Sequence, residues 1–227
     1  MARKTREDAQ ATRNRILDTA VELFGSQGVS RTSLNDIARH AGVTRGAIYG
    51  HFENKVDLFS AMIERLICPL MLHGNEYNEF LNHDPMGFLR AVTTEFLDKL
   101  ARDQNFCQVF EILWHKCEYV GEIAALRQKY LDEGERHVNI IEQAFSLAKE
   151  KGQTDTPLTP HQATIGLVAL TDGLIFNWTK DQRMFSMETY GVPILETFFR
   201  GLGVFRGQGT DLLLAASPPQ TVDKPLK

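Results

Sequence analysis

The chain has 227 residues, 43% of them hydrophobic and 24% charged, with a formal net charge of −4. These values support a buried core, exclude overall disorder, and argue against a protein coated in nucleic acid. The charge is uneven: residues 1–55 carry nine Lys/Arg against six Asp/Glu, a local +3, and the remainder stands at −7, the pattern expected of a DNA-reading end on a body that does not touch DNA.

Nearly every segment reads as helix, because no run sustains period-2 alternation. The first helix is expected over residues 10–27, where Ile16, Ala20, Leu23 and Phe24 form one apolar stripe and Gly28 supplies a left-handed stop. Ser33-Leu34-Asn35-Asp36 has capping-box form and opens a short helix whose buried face is Leu34, Ile37, Ala38 and Ala41. Ala41-Gly42-Val43 is a tight turn, and Thr44 caps the next short helix, through about residue 50. A longer helix starts near residue 54, with Val56, Phe59, Ile63, Leu66 and Ile67 on one side, and Pro69 must kink or break it. Further helices are expected over residues 85–102, 105–117, 121–151, 159–180 and 187–202. From about residue 207 the composition is that of a disordered tail.

Two short helices around a glycine turn make a helix-turn-helix, whose second helix lies in the major groove with its N-terminal residues at base edges. In that second helix Arg45 and Tyr49 are four apart and share a face beside Thr44, while Ile48 and Phe52 point to the core. Arginine reads guanine bidentately and threonine contacts a base edge or a thymine methyl. Gly46 is expected to let the two helices approach closely. His51 and Lys55 are placed on a phosphate at the start of the longer helix, and Thr32 and Ser33 on another.

Other constellations carry no chemistry. His115 and Cys117 are i, i+2 neighbours and would point apart on a helix. Seven scattered histidines include no H-x-x-x-H pair, so no metal and no cofactor are implied. Three cysteines without C-x-x-C spacing read as small buried hydrophobes in a reducing compartment. The basic N-terminus is not followed by an apolar run, and the most apolar stretch, residues 165–178, is too short to span a bilayer. The expectation is a cytoplasmic protein that is not an enzyme and has no membrane partner.

Residues 10–59 resemble the DNA-binding domain of the TetR family, most closely along Ala41-Gly42-Val43-Thr44-Arg45-Gly46-Ala47-Ile48-Tyr49-Gly50-His51-Phe52, with Lys55 and Leu58-Phe59. Residues 115–122, Gly173-Leu174 and Asn177-Trp178 are similar to the AcrR-type branch, which represses multidrug efflux operons. One departure is Gly50, where that branch usually carries a bulky aromatic near the DNA backbone. The resemblance implies an all-α protein of about nine helices: a helix-turn-helix domain at 1–55, an effector-binding and dimerisation domain at 56–206, and a tail at 207–227. It also implies a homodimer on palindromic double-stranded operator DNA, released by a small hydrophobic or cationic effector. The implied effector pocket involves Ile63, Ile67, Phe110, Trp114 and Ile141. The Phe110/Trp114 pair reads equally as core. Asp172 reads either as the partner of a cationic ligand or as a surface or interface residue. The last two helices carry much apolar surface, and the family's four-helix bundle between subunits places Leu167, Leu174, Trp178, Ile194 and Phe198 in the interface. A regulator of fatty-acid or other metabolism, and an α-helical enzyme or lipid carrier, are the alternatives.

Overall fold

The computed structural model describes residues 2–67 and 75–203, and within them every regular element is helical. The expected break at Pro69 and the expected tail at 207–227 lie outside the described residues. α1 (Ala2–Gln27) buries Ile16, Leu17, Ala20, Val21 and Phe24. It starts eight residues earlier than the expected start at residue 10, because residues 6–10 are exposed and leave no hydrophobic signature. Gly28 ends it with φ +84°, its N–H donating to the Phe24 carbonyl at 2.9 Å, a left-handed stop that a side chain would strain.

α2 (Leu34–His40) opens on the expected capping box: Ser33 Oγ accepts from the Asp36 N–H at 3.1 Å, and Asp36 Oδ2 accepts from the Ser33 N–H at 3.2 Å. Gly42 turns the chain with φ +64°. α3 (Arg45–His51) is capped by Thr44, whose Oγ1 accepts from the Ala47 N–H at 3.1 Å. It ends at Phe52, which is extended. α4 (Lys55–Ile67) is tied back to α1 by Arg65, which donates to Asp18 Oδ1 at 2.7 Å and to the Asn14 carbonyl at 3.3 Å.

The body comprises α5 (Asn75–His83), α6 (Pro85–Arg102), α7 (Gln104–Glu111), α8 (Ala124–Glu150), α9 (Pro160–Lys180) and α10 (Val192–Gly201). α8 packs on α9 and α6, and α7 packs on α9. Two helix predictions resolve into mixed elements. The element expected over 105–117 is α7 followed by a π-helix, Ile112–Lys116, and that over 187–202 is a π-helix, Met187–Gly191, running into α10. A one-residue insertion into a helical ladder leaves the apolar pattern almost unchanged, which hides it from periodicity. α5 was not expected, because its nine residues supply too few apolar positions to show a period.

Apolar burial forms two cores. The first holds Ile16, Phe24, Ile37, Ile48, Phe52 and Phe59 of the head, and it continues without interruption into Val109, Ile112, Leu113, Ile123 and Leu126 of the body. The second lies wholly in the body, around Phe88, Leu97, Phe106, Phe145, Leu167 and Phe199. Thus the head rests on the segment from α7 to the start of α8 as well as on α4.

Candidate nucleic-acid interface

α3 presents one exposed polar face. Thr44, Arg45 and Tyr49 are all exposed, Tyr49 at 45% of its area, and the Arg45 guanidinium lies 5.6 Å from the Tyr49 ring centre. That contact pre-orders the arginine against its aromatic neighbour. On the opposite side Ile48 and Phe52 are 0% and 2% exposed, which fixes the rotation of the helix. Arg13 of α1 adds a hold that sequence reading did not find: its guanidinium sits 5.1 Å from the Phe52 ring centre. His51 is half-buried at the end of α3.

Gly46 needs a different account from the one expected. A Cβ built there would approach only Thr44 Oγ1, at 3.9 Å, so packing against α2 does not require glycine. At Gly50 a Cβ would meet nothing within 4 Å. Both glycines are exposed and leave the α3 backbone bare beside Arg45 and Tyr49.

The flanking phosphate contacts are corrected in part. Thr32 is 1% exposed, and its hydroxyl donates to the Gly28 carbonyl at 2.9 Å. It locks the α1–α2 turn and is not available to DNA. Lys55 is half-buried, and its ammonium donates to the Val29 carbonyl at 3.1 Å and reaches the Ser30 carbonyl at 3.5 Å, so it straps the same turn to α4. Ser33 is exposed, but its hydroxyl also donates to Asp36 Oδ2 at 2.6 Å. Those bonds hold the Asp36 carboxyl below its ordinary value, with the Ser33 hydroxyl the largest cause.

The residues expected to wall one effector pocket divide among three environments. Ile63 belongs to the head's core, where α4 packs on α1. Phe110 and Ile141 belong to the body core, and Phe110 stands edge-on to Phe96 and Phe106 at 5.4 and 5.0 Å. Trp114 is half-buried and touches both cores. Asp172 is exposed on the outer side of α9 and does not join Phe110 and Ile141, although partial burial raises its carboxyl above the usual value. Ile67 closes α4, and its side chain lies outside the described residues.

The expected interface also needs correction. Leu167, Leu174 and Trp178 are buried within their own protomer, because α9 turns that side toward α7 and α8. The outward stripe of α9 is Ile165, Ala169, Asp172 and Phe176, at i, i+4, i+7 and i+11. On α10 the outward residues include Ile194 and Thr197, with Phe198 half-buried beside them. Ile165 and Phe176 are 49% and 43% exposed. The spacing was visible in the sequence, but α9 is apolar on both sides, so periodicity alone did not tell the inner stripe from the outer one.

A capped, rigid helix carrying an arginine and a tyrosine outward on a helix-turn-helix, set on an all-helical body, defines a DNA-binding transcriptional regulator. Residues 16–62 match the model for bacterial regulatory proteins of the tetR family, and residues 84–202 match that for the C-terminal region of MAATS-type transcriptional repressors. The chain is 38% identical over 188 residues to the HTH-type transcriptional regulator AcrR of Shigella flexneri, covering 83% of this chain and 87% of that protein. NalD, the secondary repressor of the MexAB-OprM multidrug efflux pump in Pseudomonas aeruginosa, is 34% identical with a TM-score of 0.76, covering 87% of this chain and 98% of its own. SmeT, the repressor of the Stenotrophomonas maltophilia multidrug efflux pump SmeDEF, is 27% identical in its triclosan complex, with a TM-score of 0.74 over 96% of this chain and 99% of that one. The chain belongs to the TetR family of transcriptional regulators. Among the described residues no helix is long and apolar enough to cross a membrane.

Proposed function

We propose that the chain is a repressor of a multidrug efflux operon, binding a palindromic operator as a homodimer and released by a small hydrophobic or cationic effector. The observation that carries the DNA half of this reading is the joint exposure of Thr44, Arg45 and Tyr49 on a helix anchored by Ile48 and Phe52. Arg45 takes a guanine edge, and Thr44 a base edge or thymine methyl, in the major groove. The resemblance to NalD and SmeT, both repressors of efflux pumps, supports the operon class, and the triclosan complex of SmeT supports a small, largely apolar effector.

The second copy docks on the outward face of α9 and α10, through Ile165, Ala169, Asp172, Phe176, Ile194 and Phe198. This pairing sets the two α3 helices for successive major grooves. Release follows if the effector binds a dimer shape with mismatched α3 spacing more tightly than the DNA-bound shape. A coupling of about 1–3 kcal/mol lowers operator affinity roughly 5–150-fold.

The test is titration of the dimeric protein against DNA from upstream of its own gene, with and without ethidium, triclosan or an acyl thioester as competitor. Displacement by the dye or triclosan supports the efflux reading. Displacement by the acyl thioester alone replaces it with a lipid-metabolism regulator.

A further inference from the structure

The outward face of α9 and the DNA-reading head are joined by a route separate from α4. Phe176 stands at the meeting point. Its outer side is exposed on the α9 stripe, while the His115 ring lies 4.8 Å and the Trp114 ring 5.7 Å from its ring centre. His115 Nε2 also sits 3.1 Å from the Thr179 hydroxyl, one turn further along α9, so the imidazole is held to α9 by a ring contact and a polar one.

His115 and Trp114 belong to the π-helix Ile112–Lys116. Two other residues of the same five, Ile112 and Leu113, are buried in the head's core. The last carbonyl of the π-helix, that of Lys116, accepts from the Val29 N–H at 3.3 Å. Val29 fills the α1–α2 turn with a fully buried side chain, and its carbonyl in turn accepts from Lys55 Nζ. One residue is therefore gripped through both of its backbone polar groups, its N–H by the body through Lys116 and its carbonyl by α4 through Lys55. Thr32 locks the same turn to the start of α2, and the Val43 N–H bonds the Ala38 carbonyl at 3.0 Å, carrying that position into α3.

We propose that Phe176 and His115 form a coupling element: the seating of a second copy against Phe176 sets the π-helix, and the π-helix sets the head through the Val29 backbone. The proposal rests on reading the outward face of α9 as the homodimer contact, and it adds how that contact reaches the DNA. His115 is a positioning residue, acting through Lys116 and Val29. Single π-helical turns are rare and are frequently found at functional sites, and small shifts of helices are a common mode of switching.

The test is a double-mutant cycle on the full chain with Phe176→Leu and Lys55→Met, reading operator affinity at concentrations where sedimentation shows each variant dimeric. Each single substitution lowers affinity about 2–30-fold. The pair acts through one residue, Val29, so the double variant falls well short of the product of the two losses. In parallel, His115→Ala accelerates hydrogen exchange at the Val29 amide, and His115→Gln, which keeps a hydrogen-bonding partner for Thr179, restores it. Losses that multiply, with Val29 exchange unchanged in His115→Ala, overturn the coupling while leaving the dimer reading intact. A wild-type chain that sediments as a monomer overturns the dimer reading and the coupling with it.

Discussion

The head and the outer half of the body are built from the same kinds of helix but differ in how much each residue determines. In the head, short helices of seven residues are bounded by specific caps at Ser33 and Thr44 and by a positive-φ glycine at position 42. Each cap fixes where the helix starts, and the start fixes which residues face out. In α9, 21 residues long, the caps sit far from the functional stripe and both long faces are apolar. Rotation there is decided by tertiary packing, with Leu167 and Trp178 inward and Ile165 and Phe176 outward. Chemistry at helix ends is thus a stronger guide to function than hydrophobicity along helix sides.

The contrast within α9 gives the largest expected effect. Leu167→Ala removes a fully buried side chain and should cost about 2–5 kcal/mol of stability, read from chemical denaturation. Ile165→Asp, two residues away, should leave the protomer folded and abolish the dimer in sedimentation. If Ile165→Asp stayed dimeric, or Leu167→Ala dissociated without unfolding, the two stripes would have to be exchanged.

A smaller effect is expected in the head. Ser33→Ala deletes the hydroxyl arm of the capping box and the hydroxyl's bond to Asp36 Oδ2, leaving the Ser33 N–H on the carboxylate, and should cost about 1 kcal/mol. Its pH dependence has a definite sign. The Asp36 carboxyl is held below the ordinary carboxylate value in the folded state, chiefly by the Ser33 hydroxyl. Its contribution is therefore complete above the ordinary carboxylate value and is lost as pH falls through the depressed one. Acid titration of the wild type should show this loss, and Ser33→Ala should flatten it. The smallest effect is a gain. Gly50→Ala meets no neighbour and should stabilise α3 by up to about 1 kcal/mol, measured as a raised melting temperature.

Much of the head could be read from residue types alone. The caps, the Gly28 stop, the inward Ile48 and Phe52, and the shared face of Arg45 and Tyr49 all follow from local geometry. What escaped were long-range contacts of polar groups. Nothing local says that the Thr32 hydroxyl turns back to Gly28, or that Lys55 reaches across 26 residues to the Val29 carbonyl. The expected effector wall is divided between the two cores for a related reason. Ile63, Phe110 and Ile141 are all apolar and all buried, but apolar character does not tell which of two cores a side chain joins. The π-helix at Ile112–Lys116 was invisible because it shifts the ladder by one residue inside an otherwise helical pattern.

The most direct measurement of the central claim is the affinity of Arg45→Ala for a palindromic DNA site, compared with wild type at fixed salt and at equal folded stability. Arg45 is exposed, so the fold should be unaffected, while specific binding should weaken by about 1–3 kcal/mol and one base preference should relax. Unchanged affinity and unchanged base preference would contradict the assignment of α3 as the element that reads DNA.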